Sequence, residues 1–140
     1  MKKTLILVAA AAIFASCCQT DKTTLDIVPY PNNVELKNGN FAAAGAEFHL
    51  DPAMDEESKA IVNAFAEQLA LTSGTTCTMT DVAGKNGFSF TVDTGMPAEA
   101  YTLKVGRKGV QIKASGLNGF NYAVQTIKQM LAVEVYGMTA

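Results

Sequence analysis

From Phe120 onward the apolar residues recur at Phe120, Ala123, Val124, Ile127, Met130 and Leu131, the i, i+3, i+4, i+7 spacing of a helix with one face on a core. Asn121, Gln125, Lys128 and Gln129 occupy the outward positions. Asn118 is a candidate N-cap, and Gly116 and Gly119 permit the tight turn by which a strand ending near Ala114 would enter this helix. A second helix is predicted after Asp51-Pro52, where the aspartate can cap and the proline suits a first turn. Its apolar stripe is Ile61, Val62, Phe65 and Leu69, and Gly74 ends it. Asp55, Glu56 and Glu57 fall in its early turns, where carboxylates complement the helix dipole, and they are read as solvated dipole partners rather than as acid/base groups.

The remaining pattern is extended. Pro29 and Pro31 hold the stretch from Leu25 to Pro31 away from helix. Val34 to Lys37 alternates, Asn38-Gly39-Asn40 signals a turn and Phe41 resumes, which predicts a hairpin. Glu47 to Leu50 alternates, Thr75 to Thr80 reads as a half-buried strand, and Phe88, Phe90 and Val92 share one face of another. Tyr101 to Val105 and Val110 to Ala114 flank Gly106-Arg107-Lys108-Gly109, a second hairpin. The expected fold class is α+β: a two-layer domain with a largely antiparallel sheet of about six or seven strands and two helices on one face.

Composition narrows the functional classes. With 49% hydrophobic and 17% charged residues the chain has the makeup of a globular domain. Its 140 residues suffice for one such domain, but a catalytic (β/α)₈ barrel typically needs about 250. The net charge is -2 and the basic residues are scattered, so no nucleic-acid footprint is visible.

Residues 1–16 stand apart. Lys2 and Lys3 lead into an apolar run from Leu5 to Phe14, then Ala15 and Ser16, the layout of a signal peptide rather than of a transmembrane span. Phe14-Ala15-Ser16-Cys17 resembles the cleavage box of bacterial lipoproteins, with phenylalanine where leucine is usual, and marks Cys17 as the lipidated residue. Residues 17–24 then form a polar tether. The alternative use of Cys17, Cys18 and Cys77 is one disulfide and an odd thiol. His49 is the single histidine, no Cys/His metal spacing exists, and no cofactor motif is present. Residues 132–140 run on without a polar stop and read as the start of a linker towards a missing catalytic barrel.

Several of these elements together resemble a known family. They are Ile27-Val28-Pro29-Tyr30-Pro31 with its hairpin, the following helix, Glu99-x-Tyr101-x-Leu103, the strand Val110 to Ala114, and the helix motif Gly119-Phe120-x-Tyr122-x-x-Gln125-Thr126. In this order they resemble the N-terminal accessory domain of family 20 glycoside hydrolases, the bacterial β-N-acetylhexosaminidases, over roughly residues 25–131. The resemblance implies an α+β layer beside a (β/α)₈ barrel in which an Asp-Glu pair serves a substrate-assisted mechanism. There the Glu protonates the leaving oxygen while the substrate's acetamido oxygen attacks the anomeric carbon, and the Asp stabilises the oxazolinium-like ion.

None of that catalytic pair carries over. Asp55-Glu56 is the one such dipeptide, and it opens a helix in the accessory domain. The expected function is therefore that of a non-catalytic domain of an exported, lipid-anchored exo-β-N-acetylhexosaminidase of the cell envelope, periplasmic or on the outer-membrane surface. It would meet terminal N-acetylhexosamine of glycans only through the barrel of the same polypeptide, and be inactive alone. The alternative is a free-standing envelope lipoprotein module with a binding or interaction role. Such a module needs a platform of exposed rings to bind sugar, whereas Phe65, Phe88, Phe90, Tyr101 and Phe120 sit at core positions. Tyr30, Tyr122 and Tyr136 are left as packing or interdomain contacts.

Overall fold

A computed structural model describes residues 26–37, 41–82 and 86–131. Seven elements follow one another: β1 (Glu47–Leu50), α1 (Glu56–Ser73), β2 (Thr78–Thr80), β3 (Gly87–Val92), β4 (Tyr101–Gly106), β5 (Gly109–Ala114) and α2 (Leu117–Met130). The strands form one five-stranded sheet in the order β2-β1-β3-β5-β4. The architecture is α+β, as the pattern implied, but the sheet is mixed and mostly parallel. β1 runs parallel to β2 and to β3, β3 parallel to β5, and only β4 with β5 is antiparallel.

The expected count of six or seven strands and the antiparallel sense are thus corrected, for two reasons. Val34 to Lys37 and Phe41 lie outside any strand; Pro29 and Pro31 have no N–H to give a ladder, and the turn at 38–40 lies outside the described residues. β1, β3 and β5, moreover, alternate apolar and polar because the helices cover one face of the sheet only, a pattern normally associated with antiparallel sheets.

Phe48, Phe88, Phe90, Val110, Ile112 and Ala114 all face the helices and are buried. Six of the seven phenylalanines make ring contacts in one continuous core. Phe48 stacks on Phe88 with centroids 4.8 Å apart, and Phe65 of α1 meets both edge-on at 5.6 Å. Phe120 of α2 reaches Phe90 at 6.2 Å. α2 lies beside α1 and over β4 and β5. The buried stripes match the expected ones, Val62, Phe65 and Leu69 on α1 and Phe120, Ala123, Val124 and Ile127 on α2. Met130 is instead 38% exposed.

Two cap assignments change. α1 starts after Asp55, whose side chain accepts the Ser58 N–H, not after Asp51. Asp51 is held in its own turn by the Ala53 N–H (2.9 Å) and bonded to the Val92 N–H (3.0 Å). α2 begins at Leu117 with Gly116 as its cap residue and no side-chain cap bond, so Asn118 lies inside the first turn. Gly119 serves packing: a Cβ there would lie 2.5 Å from the Ala100 carbonyl oxygen and 2.7 Å from the Ala114 Cβ. The Gly106 to Gly109 hairpin and the end of α1 at Gly74, in the left-handed region at φ 66, are as the sequence predicts.

The β2–β3 connection has the least ordinary route. β2 and β3 flank β1 and run in the same direction, so residues 81–86 must cross over β1. The described ends of this connection, Val82 and Asn86, set their carbonyl oxygens against His49 on the polar face.

Candidate functional site

The ionisable groups come first, since any chemistry would need them. Asp55 accepts from the Ser58 backbone N–H at 2.7 Å and the Ser58 hydroxyl at 2.9 Å. These bonds hold its carboxyl below the ordinary 3.8. Asp51 is lowered in the same way by the N–H groups of Ala53 and Val92. Glu56 pairs with Lys59 at 2.9 Å on the exposed side of α1, and Glu57 is exposed. Of the acidic trio Asp55 caps the helix, and Glu56 and Glu57 lie in its first turn on the exposed side. Cys77 is half-buried against the core, and burial pushes its thiol up. Among the described residues no group of three His, Cys, Asp or Glu side chains is placed to hold a metal ion.

His49 is buried, though it points to the polar face. Its Nδ1 lies 3.1 Å from the Val82 carbonyl oxygen and its Nε2 2.6 Å from that of Asn86. The shallow depression beside it is lined by Glu47, Thr78, Thr80 and Val82, with no aromatic ring. A second, more open groove runs along α1 past Ala70 and Leu71 to Cys77 and Met79. In the first the Glu47 carboxylate lies 3.5 Å from His49 Nε2, the nitrogen already engaged by the Asn86 carbonyl; the second is lined by no histidine.

The exposed apolar surface is more informative. α2 presents Tyr122 (44% exposed) and, two turns on, Gln129 and Met130. The N-terminal segment is tied onto the same helix: the Val28 N–H donates to Gln129 Oε1 at 2.9 Å, and Gln129 Nε2 donates to the Val28 carbonyl at 3.1 Å. Ile27 beside it is buried, which leaves Val28 (81%) and Tyr30 (54%) outward. A primary amide offers both a donor and an acceptor, so Gln129 pairs with a backbone as a neighbouring strand would. Periodicity places Gln129 facing out, but gives no sign of its partner. Tyr30 and Tyr122, which the sequence leaves as packing or interdomain contacts, are exposed; Cys17 and Tyr136 lie outside the described residues. The rings expected in the core are there, Tyr101 half-buried with its hydroxyl 2.6 Å from that of Thr126.

This arrangement has counterparts among known proteins. The family model described as "Glycosyl hydrolase family 20, domain 2" matches residues 24–139. The chain belongs to glycosyl hydrolase family 20. Among solved structures it resembles the GH20 exo-β-N-acetylglucosaminidase of Vibrio harveyi in complex with N-acetylglucosamine. The identity is 25% and the TM-score 0.62, over 76% of this chain and 16% of that one. It also resembles the N-acetyl-β-hexosaminidase of Streptomyces plicatus, at 26% identity and TM-score 0.57, over 67% of this chain and 18% of that one. No curated protein gives a significant match. This GH20 chain therefore spans about a sixth of the length of the solved enzymes it resembles, and what it resembles is their non-catalytic domain 2.

Proposed function

We propose that this chain is the non-catalytic accessory domain of a lipid-anchored exo-β-N-acetylhexosaminidase that removes terminal N-acetylhexosamine from glycans in the cell envelope. The observation that carries this reading is the match to domain 2 of family 20 across residues 24–139. It is supported by a fold in which Asp55 caps α1, Glu56 pairs with Lys59 and the single histidine faces two backbone carbonyls. Catalysis by a glycosidase needs an acid within hydrogen-bond reach of the glycosidic oxygen and a group to stabilise the anomeric carbon. Those belong to a barrel of the same polypeptide. The domain's part is to cover and steady that barrel, with Tyr30, Val28, Tyr122 and Met130 as the apolar contacts and the segment 132–140 as the link.

The test joins this chain to a family 20 catalytic barrel and assays both forms on a chromogenic β-GlcNAc substrate. The chain alone should give no turnover above buffer. In the joined protein Tyr122→Asp should lower the thermal midpoint of the barrel while leaving that of the isolated chain unchanged. Turnover by the isolated chain that disappears in Glu56→Gln would put the chemistry in this domain and overturn the proposal.

A further inference from the structure

The β4–β5 hairpin concentrates positive charge on one part of the domain. Four of the seven lysine and arginine side chains among the described residues belong to it: Lys104 on β4, Arg107 and Lys108 in the turn, and Lys113 on β5. All four are exposed, and none joins an ion pair among the described residues. No acidic residue occurs between Tyr101 and Ala114. The acids that flank the hairpin in sequence, Asp93 and Glu99, belong to the end away from the turn, where the Asp93 N–H meets the Ala114 carbonyl oxygen.

Register sets the geometry. Lys104 lies opposite Gln111, and Lys113 opposite Thr102 and Thr91, so these residues share the sheet face that the helices leave uncovered. Lys104 and Lys113 are diagonal neighbours, their backbones about 7–8 Å apart, a separation at which physiological salt screens charge only in part. Like charges so placed repel each other unless an anion lies above them. Ser89, Thr91, Thr102 and Gln111 fill the rest of this face on β3, β5 and β4, without an aromatic ring or a carboxylate. Chains of sugars or bases are gripped by stacking on rings, and the two depressions described above lie elsewhere, beside β2 and along α1. A cationic sheet face without rings or a groove suits an extended anionic surface instead, and Val105, 44% exposed beside the turn, adds an apolar group to it.

Chain connectivity points to which surface. Gly119 packs against Ala114 and Ala100, so α2 starts at the end of the hairpin away from the turn and runs back over β4 and β5, towards Arg107 and Lys108. Val28 is tied to Gln129 in the last turn of α2. From Val28 back to Cys17 the chain can span at most about 40 Å, which keeps the hairpin within reach of a bilayer that holds Cys17. We propose that the β4–β5 hairpin is a docking face for a bilayer rich in anionic phospholipid headgroups, with Lys104, Arg107, Lys108 and Lys113 as its cations. The assignment to a bilayer rests on the lipid anchor proposed for Cys17; the exposed strip of α2 stays free for the barrel. Each cation near such a surface multiplies binding about fivefold, so the face orients a tethered domain rather than anchoring it alone.

The test uses the full chain with Cys17→Ala and Cys18→Ala, which cannot be acylated there, and phosphatidylcholine vesicles with or without phosphatidylglycerol. The leader is common to every variant, so differences in the fraction sedimented with vesicles belong to the face. Binding to the anionic vesicles should fall about fivefold with each of Lys104→Gln, Arg107→Gln, Lys108→Gln and Lys113→Gln. These losses should shrink at high salt and be absent on neutral vesicles. Lys59→Gln, which removes the same charge from α1, should leave binding unchanged. A quadruple variant that binds anionic vesicles as well as its parent, or a loss as large in Lys59→Gln, would overturn the proposal. So would tighter binding through the same four residues to hyaluronan, a soluble anionic glycan, at matched charge concentration. Acylation is read separately with a fatty-acid probe. A chain unlabelled at Cys17 whose four cations still bind anionic vesicles would remove the anchor and leave the face, whereas a labelled chain whose quadruple variant binds undiminished would remove the face and leave the anchor.

Discussion

At the residue scale, Gly87 is the position where the crossover re-enters the sheet, and its backbone and its surroundings demand glycine independently. Its φ of +82 lies in the region that L side chains disfavour, and a Cβ would sit 2.1 Å from the Glu47 carbonyl oxygen. The first effect costs about 1–2 kcal/mol and forced overpacking about 1–3 kcal/mol. Gly74, at φ +66, has the same backbone demand with nothing within 4 Å of a Cβ. Gly87→Ala should therefore lower stability by about 2–4 kcal/mol, and Gly74→Ala by about 1 kcal/mol. Denaturant midpoints of the two variants check the difference; equal losses would mean that β1 yields freely at Glu47. Neither glycine could be separated from the other in the sequence, because the crowding at Gly87 comes from Glu47, on a strand far away along the chain.

At the element scale, helices were more legible than strand directions. The stripes on α1 and α2 are local and set by a period that any packed layer preserves. The β4–β5 hairpin was legible for the same reason, a short turn between alternating runs. Alternation along β1, β3 and β5 says that one face is polar, and it says nothing about which way the neighbouring strand runs. Nor could it show that a glutamine would stand in for a strand beside Val28. In the candidate site, Tyr30 and Tyr122 could be set apart from the core rings because no periodic stripe claimed them, but not shown to be exposed, and the ties of His49 to Val82 and Asn86 are announced by no local pattern. Within the elements, Phe65 is the side chain that locks α1 to the sheet, 2% exposed and in edge contact with both Phe48 and Phe88. Phe65→Ala should cost about 3–5 kcal/mol, much of the stability of a small domain. A thermal midpoint that stays put would show that the core closes over the gap.

At the scale of the whole molecule, the domain has one apolar layer, one polar sheet face and an exposed apolar strip at α2, and none of the described helices is long and apolar enough to cross a membrane. The membrane attachment that we propose rests instead on the sequence, where Cys17 stands behind an apolar leader. Acyl chains contribute about 0.8 kcal/mol for each buried CH₂, so one chain binds reversibly and two or more anchor durably. The polar tether of residues 18–24 would then set the domain a short way from the bilayer. The polar sheet face carries Gln111 and Lys113 in the open. Growth with a fatty-acid probe should label the chain, and Cys17→Ala should remove the label and leave the protein soluble after membranes are sedimented. Label that persists in Cys17→Ala but is lost in Cys18→Ala would shift the anchor by one residue. Sedimentation with the membranes in a variant that lacks both cysteines and carries no label would mean that the leader itself, uncleaved, holds the protein at the membrane.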